Sequence, residues 1–369
     1  MAQPAHPTKA QAISQLRAPL RSSKPGTTIP RLGLGTWQAA SEHVEEAVLV
    51  ALQSGIRHVD TASEYGVERQ VGNAIKRAME TMGLQRDDLH VTTKARVTRR
   101  RICCRPRAHL RCLQLWNADH SRVEEACRKS LSELGLEFID LYIMHWPIAG
   151  NKGPTVEPPL EQTWRDMERL VDLGLVRAVG VSNFSVAKLR SLLPHATKPI
   201  SVLQVESHPY WRNDELADFC AANDIHFSAY SALVRCLHET ACTHRCSHAG
   251  VAQGSRHSAG HPAAHEEKEE LVDDARVKDI ASRIGKTVHQ VCLRWALQRR
   301  QNTSAIFKST SAEHIKTDSD VAAWSLVDDD MQILNTLPVQ RRMLLGSVFL
   351  NKKGPYRTLK ELWDEQVGE

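Results

Sequence analysis

Several features that define other protein classes are missing from this 369-residue chain. No apolar run reaches the roughly 18 residues that a membrane-spanning helix needs, which argues against a membrane protein. No Gly-x-Gly-x-x-Gly segment follows a strand pattern, so a Rossmann domain is not supported. The cysteines include no Cys-x-x-Cys pair, which argues against a zinc site. The sequence therefore predicts neither a membrane partner nor a bound metal.

Acidic residues are missing from two stretches. None precedes Glu42, while Lys9, Arg17 and Arg21 are scattered near the start of the chain. This pattern fits a disordered N-terminal extension over 1–19, and an organelle-targeting segment remains open as an alternative. The second stretch, 95–114, holds seven arginines and no acid, and without them the formal charge of +5 becomes −2. Because the basic charge belongs to one segment, composition does not predict a nucleic-acid partner.

The chain has nine cysteines, and their positions divide into two groups. Cys127, Cys220 and Cys292 fall in helical patterns, where a thiol usually behaves as a small buried hydrophobe. No hydrophobic signal peptide is present, so we expect reduced thiols and a cytoplasmic protein. The other six cysteines fall in two compositionally unusual segments, 95–114 and 235–265: Cys103, Cys104, Cys112, Cys236, Cys242 and Cys246.

Both unusual segments interrupt an otherwise regular pattern. Arginines in 95–114 could contact phosphates, which leaves nucleic-acid binding open. The histidines and cysteines of 235–265 leave zinc open, although their spacing is irregular. The segment 95–114 has neither helical nor strand periodicity, and we favour two disordered insertions.

Strand and helix patterns alternate along the rest of the chain. This alternation predicts a parallel (β/α)8 TIM barrel as a single domain over 20–369, with a C-terminal tail at about 338–369 on the substrate side. The predicted strands are 32–37, 56–60, 89–94, 138–145, 175–181, 201–206, 225–230 and 303–307. The predicted helices are 42–53, 67–80, 120–133, 161–173, 185–193, 213–223, 271–283, 287–299 and 312–317.

Four titratable residues lie at or just after the ends of predicted strands: Asp60, Tyr65, Lys94 and His145. In a TIM barrel the carboxyl ends of the strands carry the active site, so we expect these four side chains to meet. A lysine cation beside a tyrosine lowers the pKa of the phenol and makes it a better general acid. Asp60 would keep Lys94 charged, and His145 would orient a carbonyl oxygen. This set suits reduction of an aldehyde or ketone by a nicotinamide cofactor.

Three stretches of the chain resemble the signatures of the aldo-keto reductases, namely 55–72, 179–184 and 306–314. The C-terminal stretches 354–357 and 362–364 resemble the plant aldose/aldehyde reductase branch of that family. The resemblance implies a monomer that uses NADPH to reduce aldehydes, aldoses and some ketones, with a small-molecule carbonyl substrate and Tyr65 as the general acid. The alternative is a catalytically impaired nucleotide-binding isoform on the same barrel.

The resemblance also implies binding residues. Ser182, Asn183 and Gln204 would hydrogen-bond the nicotinamide carboxamide, and Tyr230 would stack on the ring. The other implied cofactor-binding residues are Gly35, Thr36, Trp37, Asp60, Ser231, Leu233, Ile306, Lys308, Ser309, Thr310 and His314. The implied substrate-binding residues are Trp37, Tyr65, Trp116, His145 and Trp146.

The adenosine end of the implied cofactor site departs from the family pattern. His314 stands where the family usually has an arginine that binds the 2′-phosphate. An imidazole has neither the paired N–H donors nor the permanent positive charge of a guanidinium group. Asp318 stands where an amide is common. Lys308 still favours NADP over NAD, and NAD remains open.

Overall fold

The computed structural model describes residues 8–24, 26–95, 122–148, 153–232 and 270–365. Nearly all of the two expected insertions, together with Trp116 and Leu233, lies outside the described residues. Among the helices that are described, none is both long enough and apolar enough to cross a membrane.

Eight of the described strands close a parallel barrel, which confirms the predicted (β/α)8 fold. The ten described strands, of which β3 to β10 form the barrel, are β1 Arg17–Pro19, β2 Thr28–Pro30, β3 Leu32–Gly35, β4 His58–Asp60, β5 His90–Ala95, β6 Ile139–Met144, β7 Val176–Ser182, β8 Val202–Glu206, β9 His226–Tyr230 and β10 Thr303–Phe307. Neighbours around the barrel follow the chain order from β3 to β10, and β10 pairs with β3.

Helices follow the barrel strands and cover the outside of the barrel. Their apolar faces are buried against it, as the helical spacing predicts. The described helices are α1 Lys9–Gln15, α2 Ser41–Gln53, α3 Glu68–Met82, α4 Val123–Leu134, α5 Leu160–Asp172, α6 Val186–Leu192, α7 Asp214–Ala222, α8 Ala275–Ile284, α9 Val288–Gln298, α10 Ala312–Ser319, α11 Asp328–Asn335 and α12 Leu359–Trp363.

The N-terminal segment differs from the expected disordered extension over 1–19. Thr8 and Gln11 form a reciprocal capping box that begins α1, and Ile13 is buried in the core. Gly55 has φ +95°, and a Cβ atom there would lie 2.3 Å from the Ala10 carbonyl oxygen. Because glycine alone lets α1 approach this closely, the segment from residue 8 onwards is part of the fold.

An antiparallel hairpin, β1 with β2, closes the amino-terminal end of the barrel. Its Ala18, Leu20 and Ile29 form a core cluster with Leu141 and Ile143 of β6. These two β6 residues alternate with Tyr142 and Met144, which belong to the large core between sheet and helices. The period of two places the hairpin cluster inside the barrel.

Three buried histidines lie near the starts of barrel strands. His58 and His90 contact each other edge to face, with ring centroids 4.8 Å apart, and His226 begins β9. Burial lowers the pKa of His58 and the pKa of His226 to about 4 each. His58 Nδ1 lies 3.3 Å from the Pro30 carbonyl oxygen and Nε2 lies 2.9 Å from the Thr92 hydroxyl, so a neutral ring satisfies both contacts.

Because these histidines are buried in their neutral form, we predict that the free energy of unfolding falls at acidic pH. The folded pKa values of His58 and His226, about 4 each, lie below the unfolded value of 6.5, so the unfolded chain binds more protons between those limits. Stability is therefore lost as the pH falls from about 6.5 to about 4, by roughly 3 kcal/mol for each of these two histidines. His226→Asn keeps a donor near Asn302 and cannot titrate. In urea unfolding, its free energy of unfolding should fall less between about pH 7 and about pH 4.5 than that of the wild type.

His195→Asn is the matched control because His195 is exposed. It should retain the acid sensitivity of the wild type. Equal acid sensitivity of His226→Asn and the wild type would contradict the account.

Candidate active site

The strand register brings the predicted acid, lysine and histidine to one end of the barrel. Asp60 ends β4 and pairs with Thr92 of β5, so Lys94 lies two residues farther along β5 on the same face. Lys94 in turn pairs with Ile143 of β6, and His145 follows the last residue of that strand. Tyr65 ends a short 3-10 helix, Ser63–Tyr65, directly after β4.

A buried ion pair lies at the centre of this cluster. Lys94 Nζ donates to Asp60 Oδ1 at 2.5 Å and to the Thr61 carbonyl oxygen at 3.0 Å. Asp60 Oδ2 accepts from Gln204 Nε2 at 2.8 Å. The exposed fractions of Lys94 and Asp60 are 1% and 4%. Since isolated buried charges are very costly, these hydrogen bonds are what allow both charges to remain inside the barrel.

Tyr65 and His145 lie beside the ion pair and are held neutral. Their ring centroids are 5.9 Å apart in an edge-to-face arrangement, and Lys94 Nζ lies 5.4 Å from the centroid of the Tyr65 ring. Burial and the nearby Lys94 cation lower the pKa of His145 well below its usual value. The site therefore presents a phenol and a neutral imidazole next to one charged pair.

The expectation that Lys94 lowers the pKa of Tyr65 is wrong. Burial raises the pKa of Tyr65 well above 10, and Asp60, Tyr230 and Glu64 raise it further. The Lys94 ammonium group is directed at Asp60 and Thr61 rather than at the phenol oxygen. Tyr65 consequently stays protonated in the resting protein, which a proton donor requires.

The residues expected at the nicotinamide lie together beside this cluster. Asn183 adopts φ +61°, and its amide group donates to the His145 carbonyl oxygen at 3.0 Å and accepts from Tyr230 Oη at 2.6 Å. Ser182 Oγ is buried and has no hydrogen-bond partner within the described residues. An orphaned buried hydroxyl beside a fixed amide fits a bound group that carries both a donor and an acceptor, such as a carboxamide.

The strand ends around these residues hold the rest of the expected cofactor set. Thr36, which follows β3, donates its hydroxyl to Thr61 Oγ1 at 2.9 Å, and its amide donates to the Asp60 carbonyl oxygen at 3.0 Å. Gly35 pairs with Asp60, while Ser231 follows β9 with φ +53°. Ile306 and Lys308 lie at the end of β10, with Ser309, Thr310 and His314 just beyond. Lys308 is exposed and is not paired with any of the described residues.

Trp146, expected in the substrate pocket, is instead buried under the C-terminal segment (residues 338–365). It packs against Phe349 and Trp363, with ring centroids 4.6 and 5.7 Å away, and is 2% exposed. Trp37 is half-buried just past β3. Trp146 therefore holds the segment that borders the site.

Sequence reasoning missed the residues that attach this segment. Glu206, at the end of β8, accepts hydrogen bonds from the backbone amides of Met343 and Leu344, both at 2.7 Å. Lys188 Nζ donates to Asp364 Oδ2 at 2.5 Å. Like Asp60, Glu206 is an acidic residue at the end of an apolar strand pattern. That pattern could have identified Glu206 from the sequence.

Comparisons with known proteins agree with this geometry. The model of the Aldo/keto reductase family matches residues 31–337. Aldo-keto reductase family 4 member C11 of Arabidopsis thaliana is 34% identical over 350 residues, which cover 93% of this chain and 96% of that protein. NADP-dependent D-sorbitol-6-phosphate dehydrogenase of Malus domestica is 31% identical over 338 residues, which cover 87% of this chain and 94% of that protein.

A solved structure is similar as well. The aldose reductase from Schistosoma japonicum superimposes with a TM-score of 0.70 at 27% identity, covering 92% of this chain and 99% of that one. The matched region contains all the described barrel strands from β3 to β10. The chain belongs to the aldo-keto reductase family and is an oxidoreductase that uses a nicotinamide cofactor.

Proposed function

We propose that this chain reduces aldehydes and aldoses, and some ketones, to alcohols with NADPH, and that Tyr65 is the general acid. The observation that carries the proposal is the buried Asp60–Lys94 ion pair beside a protonated Tyr65 and a neutral His145. A carbonyl compound offers one oxygen that gains charge during reduction, and this site offers two neutral donors, Tyr65 and His145, whose ring centroids are 5.9 Å apart.

Each side chain has a distinct part in the proposed reaction. The reduced nicotinamide, when bound, supplies hydride to the carbonyl carbon. Tyr65 Oη gives its proton to the carbonyl oxygen, so the product is a neutral alcohol and the residue is left as a phenolate. Lys94, which donates to Asp60 Oδ1 and to the Thr61 carbonyl oxygen, keeps the Asp60 carboxylate paired and so limits its repulsion of that phenolate. His145 is neutral, so a ring N–H can orient the carbonyl oxygen without competing for the proton.

The preference for NADPH rests on the end of β10. Lys308 is an exposed cation without a partner in the described residues, and two hydroxyl residues follow it. A cation with hydroxyl donors suits a phosphate dianion. The dehydrogenase of Malus domestica, to which this chain is similar, is named as NADP-dependent.

We also propose a monomeric, cytoplasmic protein with a small-molecule carbonyl substrate. Asp60, Tyr65, Lys94 and His145 all come from one chain, so a second copy is not needed to complete the site. The described cysteines, Cys127, Cys220 and Cys292, are buried free thiols, as a reducing compartment favours.

Replacement of the phenol tests the general acid. Tyr65→Phe should lower the rate of NADPH oxidation by about a hundredfold to ten-thousandfold, because the proton donor is lost while the ring remains. The substrates are glyceraldehyde and a small aromatic aldehyde, followed by the absorbance of the reduced nicotinamide. Tyr142→Phe is the matched control, since Tyr142 is a buried tyrosine that belongs to the core between sheet and helices.

The control should retain turnover. Equal turnover by Tyr65→Phe and the wild type would rule out the proposed acid. NADPH binding by the wild type without turnover would instead support the nucleotide-binding isoform.

The orphaned Ser182 hydroxyl gives a second test. Ser182→Ala should leave the free energy of unfolding unchanged within about 0.5 kcal/mol, because no protein hydrogen bond is lost. It should weaken NADPH binding about two- to tenfold, as expected for one hydrogen bond to the cofactor. Fluorescence titration and urea unfolding measure the two quantities.

Ser185→Ala is the matched control, because Ser185 caps α6 through the Lys188 amide at 3.1 Å. It should lose about 1 kcal/mol of stability and keep its affinity for NADPH. If Ser182→Ala is strongly destabilised and binds NADPH normally, Ser182 is structural.

A further inference from the structure

A polar cavity lies at the end of the barrel opposite to the proposed active site. Its volume is about 200 Å³, below the roughly 300–1,000 Å³ of pockets that hold drug-sized ligands, so its occupant has to be small. One side of the cavity is the β1–β2 hairpin, with Arg17 and Lys24. The other side is formed near the starts of β5, β6 and β7 by His90, Asp140 and Arg177. The proposed reaction uses none of these residues.

The hairpin contributes two cations that form no ion pair in the described part of the chain, Arg17 and Lys24. Arg17 is half-buried, and its Nε donates to Thr28 Oγ1 at 2.7 Å, which fixes the direction of the guanidinium group. Because a guanidinium group has five N–H donors, Arg17 keeps donors for a further acceptor. Lys24 is exposed on the loop between β1 and β2, and its flexible side chain can bring a second positive charge to the same cavity.

The carboxylates at the cavity are paired with other arginines. Asp140 Oδ2 accepts from Arg86 Nη2 at 2.6 Å, and Arg177 forms ion pairs with both Asp140 and Asp87. Asp88 attracts the hairpin arginine without forming an ion pair with it. With the two hairpin cations included, four cations and three carboxylates surround the cavity. The balance of charge is positive, so the cavity favours an anion over a cation.

A buried imidazole in the wall of the cavity is a second, independent observation. His90 is 3% exposed, and its Nε2 atom is buried and has no hydrogen-bond partner within the described residues. Burial, together with His58 and Arg17, lowers the pKa of His90 well below its usual value, so the ring is neutral. A buried polar atom without a partner is costly and calls for a bound water or ion. With its proton on Nε2, the ring offers a neutral donor beside the Arg17 cation.

We propose that this cavity binds a small oxyanion, of which phosphate is the representative, and that Arg17, Lys24 and His90 hold it. The two hairpin cations match the two negative charges of phosphate, and charge-assisted hydrogen bonds to its oxygens are strong. The bound anion connects the hairpin with the start of β5, so its binding stabilises the folded chain. The inference does not depend on the proposed function, because the two sites lie at opposite ends of the barrel.

The experiment uses inorganic phosphate on the full chain at about pH 8, where the ion carries two negative charges. Calorimetry should show saturable binding, and phosphate should raise the midpoint of urea unfolding, while sodium chloride at equal ionic strength should not. Phenyl phosphate distinguishes the two sources of the anion. Binding of both compounds assigns the cavity to phosphate monoesters as well, and binding of inorganic phosphate alone assigns it to the free ion.

Variants test which residues hold the anion. Lys24→Gln should weaken phosphate binding about three- to tenfold and Arg17→Gln about tenfold, because each removes a charge-assisted hydrogen bond. Arg21→Gln is the matched control, since Arg21 is an exposed cation on the same hairpin loop that does not line the cavity. Lys308→Gln removes the cation of the proposed cofactor site. Both of these variants should bind phosphate as the wild type does.

The imidazole gives a readout at the cavity itself. In the chain labelled with ¹⁵N-histidine, the His90 signals should shift with phosphate in parallel with calorimetry, while those of the exposed His195 should not. The proposal would be overturned by an absence of saturable binding, or by wild-type affinity in both Lys24→Gln and Arg17→Gln. Loss of binding in Lys308→Gln alone would place the phosphate at the proposed cofactor site and would equally overturn it.

Discussion

The Asp60–Lys94 ion pair is the interaction on which the rest of the site depends. Two charges remain inside the barrel because they are hydrogen-bonded to each other, Asp60 also to Gln204 and Lys94 also to Thr61. Removal of one partner would leave an uncompensated buried charge, which typically costs 3–5 kcal/mol. The pair also concentrates the charge of the site in one place, so Tyr65 and His145 remain neutral donors.

The two ends of the proposed cofactor site differ in their physical character. The nicotinamide end is buried and fixed by a chain of hydrogen bonds from His145 through Asn183 to Tyr230. The adenosine end carries the exposed Lys308 cation just after β10. Chemistry at the first end needs constant geometry, while recognition at the second end depends on charge. The first end therefore serves catalysis, and the second end serves recognition of the cofactor.

Much of the architecture could be predicted from the sequence because it follows from periodic patterns. Polar residues after apolar runs, such as Asp60 and Lys94, located the site, since strand ends meet at one face of a barrel. The N-terminal α1 and the β1–β2 hairpin were missed, because their packing depends on contacts with distant residues such as Gly55. The raised pKa of Tyr65 was also missed. It follows from burial and from the direction of the Lys94 ammonium group, and neither is visible in residue spacing.

The central claim is that Tyr65 and His145 stay uncharged beside the Asp60–Lys94 pair. The most direct measurement is nuclear magnetic resonance of the chain labelled with ¹³Cζ-tyrosine and ¹⁵N-histidine, titrated from about pH 5 to about pH 10, with Tyr65→Phe and His145→Gln to assign the signals. The account predicts a protonated Tyr65 and a neutral His145 throughout. A Tyr65 phenolate below pH 10, or a His145 imidazolium near pH 7, would contradict it.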